Sequence, residues 1–275
     1  MKKIVLTICQ VLCVWGFEEG GANRPKLLLD IKTGMEYYQY KEPKLMKITG
    51  AMFVLDGGVG VSYKLFKAFT DVYYATDVGI NRYDGGFYNS ETKQVTPTST
   101  KSRDWYVGWN LKTGVTLYKD DRELIFLYAG LGYRFLHNLF EDKPGMKAAY
   151  TRDQGYLYLP VGLSGEIPVY KNFALFGTVE HRFLLYGHHK SGTKDLGYDD
   201  DLYFKQKDGF GGKIELGGKF YFSKNQGIKI SLYYDFWHIQ DSNTIELTMK
   251  GASKGSFVEP RNKTNSVGMT VGYSF

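Results

Sequence analysis

The segment His189-Lys190-Ser191 holds the residue types of this chain that are best suited to hydrolysis. A histidine can take the proton of a nearby serine hydroxyl, provided that a third group orients the imidazole. On a strand, side chains two residues apart share a face, so His189 and Ser191 would lie on the same side. The odd-numbered face of this strand is its apolar face. The alternative, which we favour, is a polar strand end that continues into a solvated loop.

A group of acidic residues follows this segment, at Asp195, Asp199, Asp200 and Asp201. Carboxylate oxygens in such number can bind a divalent cation. The spacing lacks the ordered ligand positions of a calcium loop such as an EF-hand, which favours a solvated acidic loop tip. We therefore predict no metal site and no cofactor, and we assign no catalytic residue.

The amino-terminal residues have the pattern of a secretory signal peptide. Lys2 and Lys3 precede a mostly apolar run at residues 4–17, which is too short to cross a bilayer of about 30 Å as a helix. Cleavage after Ala22 would remove residues 1–22 and leave one mature domain at residues 23–275. A buried amino-terminal strand or helix is the alternative.

Composition narrows the fold class and the partners. The chain has 33 Gly, 23 Tyr and 18 Phe against 7 Pro, which suits many closely spaced strands. Both cysteines, Cys9 and Cys13, lie in the predicted signal peptide, so the exported chain would form no disulfide. A net charge of +6 does not indicate nucleic acid as a partner, but it is compatible with anionic lipopolysaccharide.

Apolar and polar side chains alternate along much of the mature chain. Near its carboxyl end, Val267, Met269 and Val271 alternate with Gly268 and Thr270. Successive side chains of a strand point to opposite faces, so this is a strand with one apolar and one polar side. The same period of two recurs in about ten segments. Short turns, expected at residues 67–68, 120–122, 171–172 and 224–227, alternate with longer polar stretches, expected as loops at 41–51, 84–103, 140–154, 188–208 and 243–261.

This pattern predicts an all-β fold, namely a transmembrane, antiparallel, up-and-down β-barrel of about ten strands. Short turns on one side and longer loops on the other are typical of such barrels. Aromatic residues at strand ends, such as Tyr37, Trp105 and Tyr273, are placed to form the girdles that border the lipid. The strands exceed the 9–11 residues that cross a bilayer, so we expect the barrel to protrude on the outside.

The polar faces of these strands would line the barrel interior and carry charges of both signs. At about ten strands, side chains fill much of the interior, and opposite charges can pair across it. This disfavours a general porin and leaves a narrow channel for small solutes as an alternative function. The predicted charge network consists of Lys32, Glu36, Lys112, Arg134, Glu166, Glu180, Arg182, Lys213, Glu215 and Lys219.

The layout resembles that of the omptin proteases. The stretch Tyr158–Gly165 (YLPVGLSG), followed by a short turn and Phe173–Phe176, is similar to an omptin strand pair. The resemblance implies a ten-stranded barrel and peptide cleavage by an Asp pair facing an Asp-His pair. The last outer loop, Asp241 to Asn262, contains no histidine and no second aspartate, and His238 precedes Asp241 in the wrong order. The protease activity is therefore not carried over.

Two further resemblances concern smaller motifs. His189-Lys190-Ser191 resembles the lipid-facing His-x-Ser pair of outer-membrane phospholipases and lipid A deacylases, but Tyr203 stands where their Asn or Glu is expected. The stretches Tyr40–Pro43 and Glu259–Thr264 are similar to motifs of small Gram-negative outer-membrane barrel proteins that have no assigned activity.

The sequence thus predicts a non-enzymatic protein of the cell outer membrane that acts in membrane integrity, lipopolysaccharide contact or adhesion. The expected partners are membrane lipid, lipopolysaccharide and the barrel-assembly machinery, which would recognise the strand ending in Phe275. Basic residues beside the outer girdle are candidates for contact with lipid A phosphates, with solvated loop charges as the alternative: Lys101, Arg103, Lys190, Lys205 and Lys207.

Overall fold

A computed structural model of the chain describes residues 25–89, 94–119, 122–141, 150–223 and 226–275. The predicted signal peptide, with both cysteines, lies outside these ranges. No helix in the described ranges is long and apolar enough to cross a membrane. Besides one 3-10 turn at Thr193–Leu196, the elements are the strands β1 (Lys26–Glu42), β2 (Met46–Tyr63), β3 (Phe66–Asp77), β4 (Arg82–Asn89), β5 (Gln94–Lys119), β6 (Arg122–Phe140), β7 (Thr151–Tyr170), β8 (Phe173–Ser191), β9 (Leu202–Gln206), β10 (Gly209–Tyr221), β11 (Gly227–Ile239), β12 (Thr244–Met249), β13 (Ala252–Val258) and β14 (Asn262–Ser274).

Ten of these strands form a closed antiparallel barrel, which confirms the predicted fold class. Their order is β1, β2, β3, β5, β6, β7, β8, β10, β11 and β14, and β1 pairs with β14 to close the ring. Leu29 and Phe275 end this seam with two backbone hydrogen bonds, at 2.9 and 2.8 Å. A closed ring leaves no backbone edge unpaired, as a hydrocarbon environment requires.

The alternation in the sequence sets which side chains face outward. Ile31 is 51% exposed and Met269 is 59% exposed, whereas their neighbours Asp30 and Thr270 are buried in the interior. This is the inverse of a soluble sandwich, in which the apolar face would point inward. The outward apolar band therefore belongs against lipid.

Two of the predicted connections are wrong in position. The turn expected at residues 67–68 lies at Lys64–Leu65, where Tyr63 pairs with Phe66 and Lys64 adopts a positive φ of 54°. The loop expected at 41–51 is strand except for residues 43–45. Above the lipid both faces of a strand meet polar surroundings, so alternation fades although backbone pairing continues.

The other predicted long loops also contain strands that extend the barrel outward. β4 pairs with β2 and β5, β9 pairs with β8, and β12 and β13 form a hairpin. Leu202, Phe204 and Leu247 form a small apolar core between β9 and the hairpin. The Asp199 carboxylate accepts the backbone N–H groups of Lys250 and Gly251, at 2.8 and 3.0 Å, and so fixes the hairpin turn.

A β-bulge interrupts β8 near the outer end of its lipid-facing stretch. Leu184 pairs with Tyr158 and Tyr186 pairs with Leu157, so Leu185 is an extra residue without a partner on β7. An extra residue shifts the alternation by one position. Odd-numbered side chains of β8 face outward before the bulge, and even-numbered ones face outward after it.

Candidate functional site

The inner half of the barrel encloses a cavity of about 350 Å³. Opposite charges pair across it. Lys112 lies 3.3 Å from Asp71 and 3.1 Å from Glu180, and Arg182 lies 2.7 Å from both Glu180 and Asp235. The carboxylate of Glu180 is thus held between two cations. Lining residues of both signs come from strands on opposite sides of the ring, which ties those strands together.

A second group of charges lies in the same cavity. Lys32 is 3.6 Å from Asp56 and 3.7 Å from Glu215, and Lys213 is 2.9 Å from Glu215. The structure therefore brings Lys32, Lys213 and Glu215 of the predicted network together, as it does Lys112, Glu180 and Arg182. The ion pairs of these two sets of residues form two separate clusters.

The remaining predicted network residues also face the lumen. Glu36 accepts hydrogen bonds from Tyr106, Tyr233 and Ser266, at 2.8, 2.7 and 3.0 Å. Arg134 lies over the ring of Tyr106, with 4.5 Å between its guanidinium carbon and the ring centroid.

Glu166 and Lys219 converge on Tyr221. The Tyr221 hydroxyl donates to the Glu166 carboxylate, and the Lys219 ammonium lies 4.4 Å from the ring centroid. Tyrosine side chains thus hold interior polar groups alongside the opposite charges.

The outer half of the barrel is filled by packed side chains. The cavity lining ends near Tyr73, Tyr106 and Arg134. Beyond it, inward side chains from almost every barrel strand are at most 2% exposed: Tyr38, Tyr40, Met52, Ala75, Asp104, Leu136, Tyr156, Tyr158, His189, Trp237 and Thr264. A continuous water column would expose the side chains that it passes, so the interior is closed at this level.

A buried charge cluster lies within this closed part. The Arg152 guanidinium binds the carboxylates of both Glu42 and Glu259 and contacts the Met46 sulfur at 3.1 Å. All three charged side chains are at most 5% exposed. Burial raises the pKa of Glu259 to about 8, and the nearby negative charge of Glu42 adds to the rise. The positive charge of Arg152 lowers the pKa but does not cancel the effect of burial. Two carboxylates thus share one cation.

His189 and Ser191 belong to this cluster, so they neither face lipid nor lie in the solvated loop that we favoured from the sequence. The bulge at Leu185 turns both side chains into the interior, where His189 is 1% exposed. His189 Nε2 lies 2.9 Å from Ser191 Oγ and 3.2 Å from the Glu259 carboxylate.

A hydrolytic triad uses both ring nitrogens, one for the serine and one for the acid. Here the serine and the acid converge on the same nitrogen of His189, and Nδ1 has no hydrogen-bond partner among the described residues. Burial, and then the charge of Arg152, lower the pKa of His189 well below its usual range. The neutral histidine is a packed interior side chain without access for a lipid.

The acidic loop tip is engaged in local contacts. Asp199 holds the hairpin turn, Asp200 lies 3.1 Å from Lys194, and Asp201 lies 3.1 Å from Lys190. Across the part of the chain that the structure describes, no group of three or more His, Cys, Asp or Glu could hold a metal ion.

The five basic residues predicted to contact lipid A fall into two groups on the outer surface. Lys101 and Arg103 lie on β5, and Arg103 is paired with Glu141 at 2.7 Å. Lys190 on β8 is paired with Asp201, and Lys205 lies on β9. The fifth, Lys207, follows β9 and is exposed. β6 and β7 separate the two groups.

The structure also reveals a basic row that the sequence reasoning missed. Lys263 on β14 pairs in register with Lys41 on β1 and with His238 on β11, and Lys41 pairs with Lys47 on β2. Both Lys41 and Lys263 lie in motifs that the sequence singled out, Tyr40–Pro43 and Glu259–Thr264. Nothing local in the sequence showed that the two motifs are neighbours.

Comparison with solved structures shows what this architecture is similar to. The outer membrane protease OmpT from Escherichia coli superposes with a TM-score of 0.66 at 12% sequence identity, over 90% of this chain and 96% of that one. The chain has the fold of an outer-membrane β-barrel. The predicted likeness to the omptin layout is thereby confirmed at the level of the fold.

Two other outer-membrane barrels are similar at lower TM-scores. The translocator domain of the autotransporter NalP from Neisseria meningitidis matches at 0.40, with 11% identity over 99% of this chain and 96% of that one. A major outer membrane protein from Thermus thermophilus matches at 0.38, with 13% identity over 90% of this chain and 99% of that one. No family model and no curated protein matches the sequence.

Near the outer rim, His238 and Asp241 make contacts with different groups. The ring of His238 lies 5.1 Å from that of Phe210, while the Asp241 carboxylate accepts the backbone N–H of Arg261 at 2.6 Å. His137 does pair with Asp153 at 2.6 Å, on the outer face of β6 and β7.

Proposed function

We propose that this chain is a non-enzymatic protein of the outer membrane whose closed barrel carries a rigid outer rim that contacts lipopolysaccharide. The observation that carries the proposal is the closed outer half of the lumen, lined by side chains such as Tyr156, Tyr158 and Trp237 with no exposed area. Because a solute cannot pass through a barrel that is closed in this way, a partner would bind to its outer surface or its rim.

The closed interior argues against the narrow channel for small solutes. Trp237 packs between Tyr156 and Tyr158, with ring centroids 5.3 and 5.0 Å apart. Above this layer, Arg152 is fixed by two carboxylates. Removing either layer would break buried contacts worth several kcal/mol, so spontaneous opening would be rare.

Lipid hydrolysis is disfavoured for a separate reason. The His189 and Ser191 pair is buried, and the serine and the acid share one ring nitrogen. The outward basic residues, in contrast, stand just above the aromatic girdle, where lipid A phosphates lie. Lysine ammonium groups and guanidinium groups are the natural partners of phosphate.

The test uses the mature chain refolded in detergent that is free of lipopolysaccharide. Single-channel recording in a planar bilayer is expected to show no steady conductance steps. The variant Tyr158→Ala/Trp237→Ala, which empties the packed layer, serves as the comparison and should raise conductance. Steady steps from the wild-type chain would support the channel instead.

A second arm measures binding of purified lipopolysaccharide to the same refolded chain. Binding that is saturable and that weakens with added salt is expected, because screening weakens contacts between exposed charges. A wild-type chain that binds no lipopolysaccharide would overturn the proposed contact, whatever its conductance.

A further inference from the structure

Four adjacent strands, β11, β14, β1 and β2, carry a row of basic side chains at one level. His238, Lys263, Lys41 and Lys47 are consecutive partners in the antiparallel register. Directly opposite residues of an antiparallel pair have Cβ atoms about 5 Å apart. The three lysines therefore start within about 10 Å of one another and all face outward.

Like charges directly opposite each other destabilise a sheet. Asp84 partly relieves Lys47, at 3.9 Å, but Asp84 also binds Arg82, at 2.9 Å. Within the described ranges, no carboxylate lies within ion-pair distance of Lys41 or Lys263. The pair at the centre of the row thus keeps two unneutralised charges side by side, an arrangement that an anion would stabilise.

The height of the row fits a lipid headgroup. Four residues below Lys41 on the same strand, Tyr37 is 54% exposed at the level of the girdle. Its partner on β14 is Val267, and Tyr234 on β11 is the next residue at that level. At about 3.4 Å per residue the row lies roughly 14 Å further along the strands. Long lysine side chains can reach back from that level to the headgroups.

On β1 and β14 the residues between these two levels are polar without charge, while β11 has Phe236 there. Gln39 and Asn265 are partners in the register, and Asn265 accepts a hydrogen bond from the Tyr234 hydroxyl at 2.6 Å. Along β1, from Met35 to Lys41, the surface therefore changes in order from apolar to aromatic, then to neutral polar, then to cationic. That order matches acyl chain, interface, sugar and phosphate of a phosphorylated glycolipid.

Two of the other outward basic residues, Arg103 and Lys190, differ in one respect. Arg103 and Lys190 each have a carboxylate partner of their own, at 2.7 and 3.1 Å, from Glu141 and Asp201. An anion at those positions would have to displace an existing ion pair. At Lys41 and Lys263 it would displace only water.

We infer that Lys41 and Lys263, flanked by Lys47 and His238, bind a phosphate group of lipid A on the outer face of β14 and β1. This inference rests on the proposed contact with lipopolysaccharide, and it adds the place and the group that is bound. His238 can donate a hydrogen bond to the same phosphate at the edge of the row.

The test measures the affinity of the refolded mature chain for purified lipopolysaccharide and for the same material after dephosphorylation. Lys41→Gln/Lys263→Gln is expected to weaken binding of the phosphorylated form by about tenfold or more, since each lysine near an anionic surface contributes on the order of 1 kcal/mol. Lys250→Gln/Lys254→Gln removes the same net charge at the tip of the hairpin and should weaken binding by less than about twofold. Dephosphorylated lipopolysaccharide should bind the wild-type chain as weakly as the double variant does.

Lys263→Glu separates binding from folding. It places an opposite charge beside Lys41, so the variant should unfold at the same or a higher temperature than the wild type in detergent alone, yet lose affinity for phosphorylated lipopolysaccharide. A variant that is unstable and also fails to bind would be replaced by Lys263→Gln for the affinity measurement.

The outcomes distinguish the two proposals. If the wild type binds and Lys190→Gln/Lys205→Gln weakens binding while Lys41→Gln/Lys263→Gln does not, the inferred site is wrong and the proposed function stands. No wild-type binding would remove both. Competition by millimolar inorganic phosphate as strong as that by the lipid would show a general phosphate site and overturn the assignment to lipid A.

Discussion

The Glu259 carboxylate, at the end of the last outer loop, binds the Arg152 guanidinium inside the barrel. The same loop is fixed at its base, where Ser242 and Glu259 exchange hydrogen bonds of 2.8 and 3.0 Å. Glu42, from the first outer turn, holds the other side of Arg152. One buried cation thus joins the first and last outer connections to β7.

Arg152→Met should destabilise the barrel by about 3–5 kcal/mol, because it leaves two buried carboxylates without their cation. The triple variant Arg152→Met/Glu42→Gln/Glu259→Gln removes the charges together and should recover most of that loss. Urea unfolding of the refolded chain in detergent micelles, followed by tryptophan fluorescence, measures both. A triple variant as unstable as Arg152→Met would show that packing, rather than charge, sets the loss.

The raised pKa of Glu259 predicts a pH dependence. An unfolded glutamate has a pKa of about 4.3, so the folded chain binds more protons than the unfolded chain between that value and about 8. The free energy of unfolding should therefore fall as the pH rises through this interval and level off above it. Glu259→Gln cannot ionise, so its stability should change less between pH 6 and pH 9.

His189 acts in the opposite direction at low pH. Its lowered pKa means that the unfolded chain binds the proton more readily, so stability should fall as the pH drops below about 6.5.

The matched control for Glu259→Gln is Glu246→Gln on the exposed side of the hairpin, which should keep the wild-type profile. An identical profile in Glu259→Gln and the wild type would rule out Glu259 as the titrating group.

Much of the fold followed from the period of two. Outward Ile31 and inward Asp30, for example, are set by alternation alone, and the interior positions of Glu180 and Arg182 follow from the same rule. The partners of those residues do not follow, because pairing across a lumen depends on strand tilt and register. Asp235, which binds Arg182, could not be assigned to it from spacing.

The outer rim was harder to predict for a physical reason. Above the lipid, the outer face of a strand meets water and polar neighbours and does not need to be apolar. The sequence therefore no longer shows which side chains point outward and which point inward. The opposition of Lys41 and Lys263 is a consequence of long-range register between chain segments more than 200 residues apart. The bulge at Leu185 has no glycine or proline to mark it.

Glu180→Gln tests the interior network. The carboxylate accepts hydrogen bonds from Arg182 at 2.7 Å and Tyr128 at 2.8 Å, and it lies 3.1 Å from Lys112. The uncharged amide no longer neutralises the buried cations Lys112 and Arg182, so the free energy of unfolding should fall by about 3 kcal/mol or more. Urea unfolding measures it, with Glu246→Gln as the exposed control. A loss no larger than that of the control would mean that Asp71 and Asp235 suffice for the two cations.

Deleting Leu185 tests whether it is the extra residue of the bulge in β8. Without it, Tyr186 follows Leu184 directly, the strand alternates regularly, and the later residues of β8 keep their present partners on β7. His189 and Ser191 would then stay in the interior and Lys190 outside, and the barrel should still fold. Single cysteines report this directly, because both native cysteines lie in the predicted signal peptide. Ser191→Cys should react slowly with a membrane-impermeant maleimide and Lys190→Cys quickly, both with and without the deletion. A deletion that reverses this order would show that Leu185 is not the extra residue and that the register of β7 and β8 differs from the one described.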